Sequence, residues 1–343
     1  MLNNITTAIE KLPALPAGRR AALDALRSHG LPTTSEEDWK YTDLSKLDTL
    51  AIEDVAPSIE NHDFPAAYDC GLDALNTALA GGRQTRTIEG RVELDTGKHQ
   101  RLRLQVNRDA QLILDDRTAS RFATFFAAID IAPNARLRLL RIQNAAADAQ
   151  RLTRLKVALR RDARLEAITV DLGGAFLRHD LDITFDEPGA EAQLHGLYLA
   201  RGATHVDNHT RIDHRAAHCL SRETYRGIAV DKARAVFNGK IVVHPGAQKT
   251  DSEQRVGNLI LSKGAEVNAK PELEIYADDV KCAHGATFGQ LDEDAVFYLR
   301  SRGLDADAAR RLLISAFAHE ILDRIDDEAI RDRVTREFEA QLK

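Results

Sequence analysis

A cysteine and a histidine stand two residues apart in the run KCAHGAT, as Cys282 and His284. In an extended strand, residues i and i+2 share one face, so both side chains would point the same way. A thiolate and an imidazole suit zinc or iron, yet such sites ordinarily take four donors. Two readings stay open. Cys282 is a small buried hydrophobe and His284 a hydrogen-bonded turn residue, or the two are half of a metal site. In the second case another strand or another subunit must supply the missing ligands.

A denser polar stretch lies upstream, in LHGLYLARGATHVDNHTRIDHRAAHC. It holds His195, His205, His209, His214 and His218, with Asp207, Asp213 and Cys219. On a strand, His205, Asp207 and His209 share a face. That pattern fits a metal site, or an outward ladder that packs on another surface; strand spacing alone does not converge four ligands. The common catalytic signatures are missing. There is no GxxxxGK[ST], no GxGxxG opening a helix, no GxSxG and no HExxH, so P-loop ATP hydrolysis is not expected of this chain.

These residues sit in a chain of 343 residues, long enough for several structural units. Its net charge of −6 opposes a role on nucleic acid or an anionic membrane, where a positive field is needed. The three cysteines, Cys70, Cys219 and Cys282, form no CxxC and suggest no disulfide framework. The opening MLNNITTAIEKL lacks a basic start and an apolar core, and no apolar run approaches the roughly 18 residues of a membrane span. A reducing cytoplasm is the compartment expected.

Apolar residues at spacings of three and four predict helices over 3 to 29, split by Pro13 and Pro16 and closed by Gly30. Thr34 or Ser35 is expected to cap a short helix ahead of Trp39, and Trp39 and Tyr41 to anchor that segment on the core. Residues 50 to 95 show no clear period. From about 96 the pattern alternates, as in HQRLRLQV and LDITFD, which predicts strands. A turn-like dipeptide followed by alanine recurs at Ala110, Ala135, Ala163, Ala190 and, less clearly, Ala217, then irregularly at Ala247 and Ala265. A repeat in this range with no long helices between strands predicts a β-solenoid, with a β-sandwich as the runner-up. Beyond Gln290 the helical period returns. Leu312, Leu313, Ala316, Phe317 and Ile321 make an apolar stripe. It is expected to cap the last coil or to dock a partner. The organisation expected is a helical region over 1–95, a parallel β-helix core over 96–290 and a C-terminal helical region over 291–343.

Several long segments carry a resemblance. HVDNHTRIDHRAAHCLSRETYRGI, AQKTDSEQ, KPELEIYADDVKCAHGAT and LDEDAVFYLRSRG, together with EEDWKYTDLSKL near the start, resemble the SufD family of the bacterial Suf iron–sulfur cluster assembly machinery. The related SufB subunits carry a Glu-His-Glu-Ala-Thr type segment where this chain has CAHGAT. The resemblance implies a right-handed parallel β-helix between helical regions and a non-catalytic scaffold. It implies pairing with SufB through the β-helices and binding of the SufC ATPase by the C-terminal helices. It places Cys282 and His284 at a SufB interface where iron or a cluster is handled transiently, and leaves open a flavin in the assembled complex. A homodimer of the isolated chain is also expected from exposed strand edges. The reading from a different class is a β-helix enzyme acting on polysaccharide through the His/Asp-rich surface.

Overall fold

The computed structural model describes residues 2–342 apart from 13–14, 52–54, 56, 61 and 117–118, so Pro13 lies outside the described residues. Two helices open the chain, α1 (Leu2–Glu10) and α2 (Ala17–His29). Pro16 sits at the N-cap of α2, and Gly30 ends it with φ 69°, a left-handed value that glycine adopts without strain. Thr34 and Ser35 cap no helix. The segment makes one 3-10 turn, Glu37–Trp39, with Glu36 at its N-cap and its carboxylate bonded back to the Thr33 amide. The unreadable stretch contains α3 (Gly71–Ala80), which is buried along its whole length.

Strands then come in pairs, one pair to a coil. They are β1 (Gln84–Thr87), β2 (Gly90–Asp95), β3 (Gln100–Val106), β4 (Ala110–Asp115), β5 (Phe122–Ile131), β6 (Arg136–Gln143), β7 (Gln150–Leu159), β8 (Arg164–Asp171), β9 (Phe176–Phe185), β10 (Glu191–Ala200), β11 (His205–His214), β12 (Leu220–Ala229), β13 (Arg234–Val243), β14 (Asp251–Ile260), β15 (Glu266–Ile275) and β16 (Lys281–Gly289). The odd strands form one eight-stranded sheet and the even strands another, and every pairing is parallel. This is a β-solenoid, and the parallel ladders rule out the sandwich. Coils begin at Gln84, ahead of the residue where alternation becomes legible.

The turn repeat has a physical basis. Asn134, Asp162 and Gly189 take positive φ, and each is followed by a buried alanine, Ala135, Ala163 or Ala190, that immediately precedes an even strand. The register carries the same position on to Cys219 and then Thr250, behind the positive-φ residues His218 and Lys249. Ala217 and Ala247 are therefore neighbours of the repeat and not members of it.

The inner faces of both sheets bury a continuous core through the coils, from Leu102, Leu112 and Leu137 to Ile241 and Val243. Each outer face is covered by one end of the chain. The N-terminal helices pack on the odd sheet through Leu23, Leu26, Leu75 and Leu79 against Phe122, Phe126, Leu152 and Phe176. On the even sheet lie α5 (Ala306–Leu322) and α6 (Glu328–Gln341), with α4 (Glu293–Ser301) packed against α5. Ile314, Ala318, Ile321 and Leu322 meet Leu197, Leu199 and Ile228 there. The C-terminal helices thus cover the flank of the solenoid and not its last coil. An apolar sheet face is the larger surface to bury, which is why they lie there.

Candidate functional site

With the helices on the flanks, β15 and β16 are edge strands. Their burial is low, and Ile275, Tyr276 and Phe288 are exposed. Cys282 and His284 lie on β16, in register with Ser252 and Gln254 of β14. Since Ser252 and Gln254 are fully buried and alternate with outward residues, both positions face the lumen. Cys282 is half-buried against the core and His284 is exposed at the mouth. Burial and the nearby Asp251 carboxylate push the Cys282 thiol up, so it is a thiol until a metal or a cation draws off its proton. Among the described residues no group of three or more His, Cys, Asp or Glu side chains converges to hold a metal ion. The pair offers two soft-to-borderline donors on one strand, fewer than the four a closed zinc site takes.

Behind each member of the pair stands a buried polar column, one residue per coil. The register aligns Ser221, Ser252 and Cys282, and beside it Glu223, Gln254 and His284. His214 Nε2 shares a 2.9 Å hydrogen bond with Ser221 Oγ, which shares one of 2.6 Å with Ser252 Oγ. Gln254 Nε2 donates to Glu223 Oε2. Gly239 faces this column, and a Cβ there would meet Gln254 Nε2 at 2.1 Å, so only glycine leaves room for the amide. Burial pushes the Glu223 carboxyl up to about 7, partly offset by Gln254 and Thr210. Sequence reasoning missed both columns, because the register that aligns residues some thirty positions apart is set by turn geometry.

The His-rich stretch does something else. Asp207 is buried beneath the N-terminal segment, where it takes hydrogen bonds from Arg178 Nη1 and Thr42 Oγ1 and pairs with His209 Nε2 at 3.0 Å. Arg178 and His209 hold its carboxyl far below the usual range against the burial that opposes them. His205 Nε2 lies 2.9 Å from Thr42 Oγ1 and stacks on Phe176. The Arg178 guanidinium lies 4.2 Å over the Trp39 ring and donates to the Asp38 carbonyl. Here His205 and Asp207 hold Thr42, and Arg178 on Asp207 holds Asp38 and Trp39, so this face is engaged in clamping residues 38–42; among the described residues no metal-holding group forms there, and nothing supports the polysaccharide surface read from the spacing. Trp39 anchors this segment as expected, whereas Tyr41 is exposed. His195 sits apart on β10 beneath Glu320 and Arg324, and burial lowers it to about 4.

The apolar stripe of α5 divides. Ile321 is fully buried on the even sheet, and Phe317 packs at the edge of that core with Arg226 5.5 Å over its ring. Ile321 is therefore unavailable to a partner. Leu312 is exposed and Leu313 half-exposed, and on the neighbouring helix α4 Phe297 and Tyr298 are exposed.

A parallel β-solenoid with helical flanks, and with a cysteine and a histidine side by side on its open last coil, defines the class to which this protein belongs. Residues 86–317 match the family described as SUF system FeS cluster assembly, SufBD core domain. A SufBD family iron–sulfur cluster assembly protein of Synechocystis is 30% identical across 92% of this chain and 88% of its own. The iron–sulfur cluster assembly protein SufD of Escherichia coli is 34% identical across 75% of this chain and 55% of its own. A chloroplastic protein of Arabidopsis thaliana, ABCI7, is 35% identical across 53% of this chain and 38% of its own. The chain belongs to the SufBD family of iron–sulfur cluster assembly proteins. Among the described residues, no helix is long and apolar enough to cross a membrane.

Proposed function

We propose that this chain is the non-catalytic, SufD-type scaffold subunit of a Suf complex. It pairs with a SufB-type subunit through the open end of its solenoid, and a SufC-type ATPase docks on α4 and α5. Cys282 and His284 face that joint and supply half the ligands for iron or a nascent cluster, which is cargo and not a resident cofactor of this chain. The observation that carries the reading is the placement of both donors at the lumen mouth of an edge strand. Unpaired strand backbone and exposed Phe288 invite a second solenoid there. Phe297, Tyr298 and Leu312 support docking on the flank. The three free cysteines suit a reducing cytoplasm.

The deciding experiment is co-expression with SufB- and SufC-type subunits and purification under anaerobic conditions. A stable complex containing all three is expected, and failure of this chain to join either partner overturns the reading. In the same preparation His284→Ala is expected to leave the complex assembled while lowering its iron content several-fold. Unchanged iron removes the histidine from the site.

A further inference from the structure

His284 is the last member of a lumen column whose inner members are fixed. Glu223 is 2% exposed and Gln254 is 0% exposed. The Gln254 amide is oriented, because its Nε2 donates back to Glu223 Oε2 and Gly239 leaves it space. An amide whose nitrogen points toward β12 turns its oxygen away from β12. In this column the next residue away from β12 is His284. Gln254 Oε1 is buried and accepts no hydrogen bond within the protein. A buried carbonyl oxygen without a donor is costly, and an imidazole N–H satisfies it well. The neighbouring inward column, Tyr225–Val256–Ala286, ends in an apolar residue and offers nothing comparable.

We propose that Gln254, held by Glu223, is the positioning residue for His284. Gln254 Oε1 accepts the N–H of one ring nitrogen and thereby leaves the other nitrogen unprotonated and turned toward the joint, ready to bind iron. This rests on the reading of His284 as a cargo ligand, and it names the two residues that make it one. Imidazoles that bind metals usually give their second nitrogen to such an acceptor, which fixes the tautomer and the ring orientation.

The test is the ring tautomer of His284, read from ring-nitrogen chemical shifts of the full chain labelled in histidine, with His284→Ala identifying the signal. The wild-type ring is expected to show one dominant tautomer. Gln254→Met should shift it to the mixture of a free imidazole. Glu223→Gln should leave it unchanged, since a carbonyl oxygen still accepts from Gln254. Should Gln254→Met unfold the chain by stranding Glu223, the double variant Glu223→Met with Gln254→Met removes both polar partners at constant volume and should show the same shift. Identical His284 ring shifts in the wild type and in a folded variant lacking the Gln254 amide overturn the proposal. Iron affinity of the assembled complex should also fall about 10-fold or more in those variants, with assembly intact. A wild-type chain that forms no complex ends the functional reading, while the ring-shift comparison still decides the relay.

Discussion

Glu223 makes the stability of this chain depend on pH. Its folded carboxyl titrates near 7 against an ordinary value of 4.5, so the folded chain keeps a proton that the unfolded chain releases. Stability contributed by this group therefore falls as pH rises from about 4.5 to about 7 and levels off above. His214 and His195 are lowered to about 4 by burial and work in the opposite sense, losing stability as pH falls below 6.5. Glu223→Gln isolates the first effect. Its advantage over wild type should grow by up to about 1.4 kcal/mol per pH unit between pH 5 and 7, then stay constant. Denaturation midpoints at pH 5, 6, 7 and 8 measure this, and a difference independent of pH shows that Glu223 is not the titrating group. A reader of the sequence could pick out Cys282 and His284 by type and spacing. Glu223 and Gln254 looked like ordinary strand polars, because nothing local distinguishes an inward carboxylate from an outward one.

The N-terminal segment and strands β9 and β11 form one unit held by buried charge. Arg178→Met removes the guanidinium from Asp207 and the cation from the Trp39 ring, leaving a buried carboxylate without its main partner. A loss of roughly 3–5 kcal/mol is expected, read as a lowered thermal midpoint with earlier protease cleavage near residues 37–42. Unchanged melting and cleavage would mean the clamp contributes little. At this scale the strands of the solenoid were legible, since alternation follows directly from burying one face. Helix α3 was not, because its polar residues Asp73, Asn76 and Thr77 are buried like the rest of the Gly71–Ala80 run, so polarity there does not mark a solvent face. The position of α5 was equally hidden. Its stripe announced a buried face, but which surface it covers depends on the outward Leu197, Leu199 and Ile228 of distant strands.

For the whole molecule, the open last coil predicts self-association when no partner is present. Sedimentation across a wide concentration range should show a monomer–dimer equilibrium, weakened by Phe288→Lys at the exposed edge; a monomer at every concentration would contradict it. The interior of the last coils has a further consequence. Gly196 lies beside Tyr225 and Gly227 beside Tyr198, each glycine making room for the ring on the neighbouring strand. Tyr198 also bonds Asn258 a further coil on, at 2.5 Å. These coils are thus written as a sentence and not as beads on a string. Cutting one out, or copying one in, would set Tyr198 against a side chain instead of Gly227. Lineages of this solenoid should then change length at the other end or in the turns, and an engineer lengthening it should insert coils before β10.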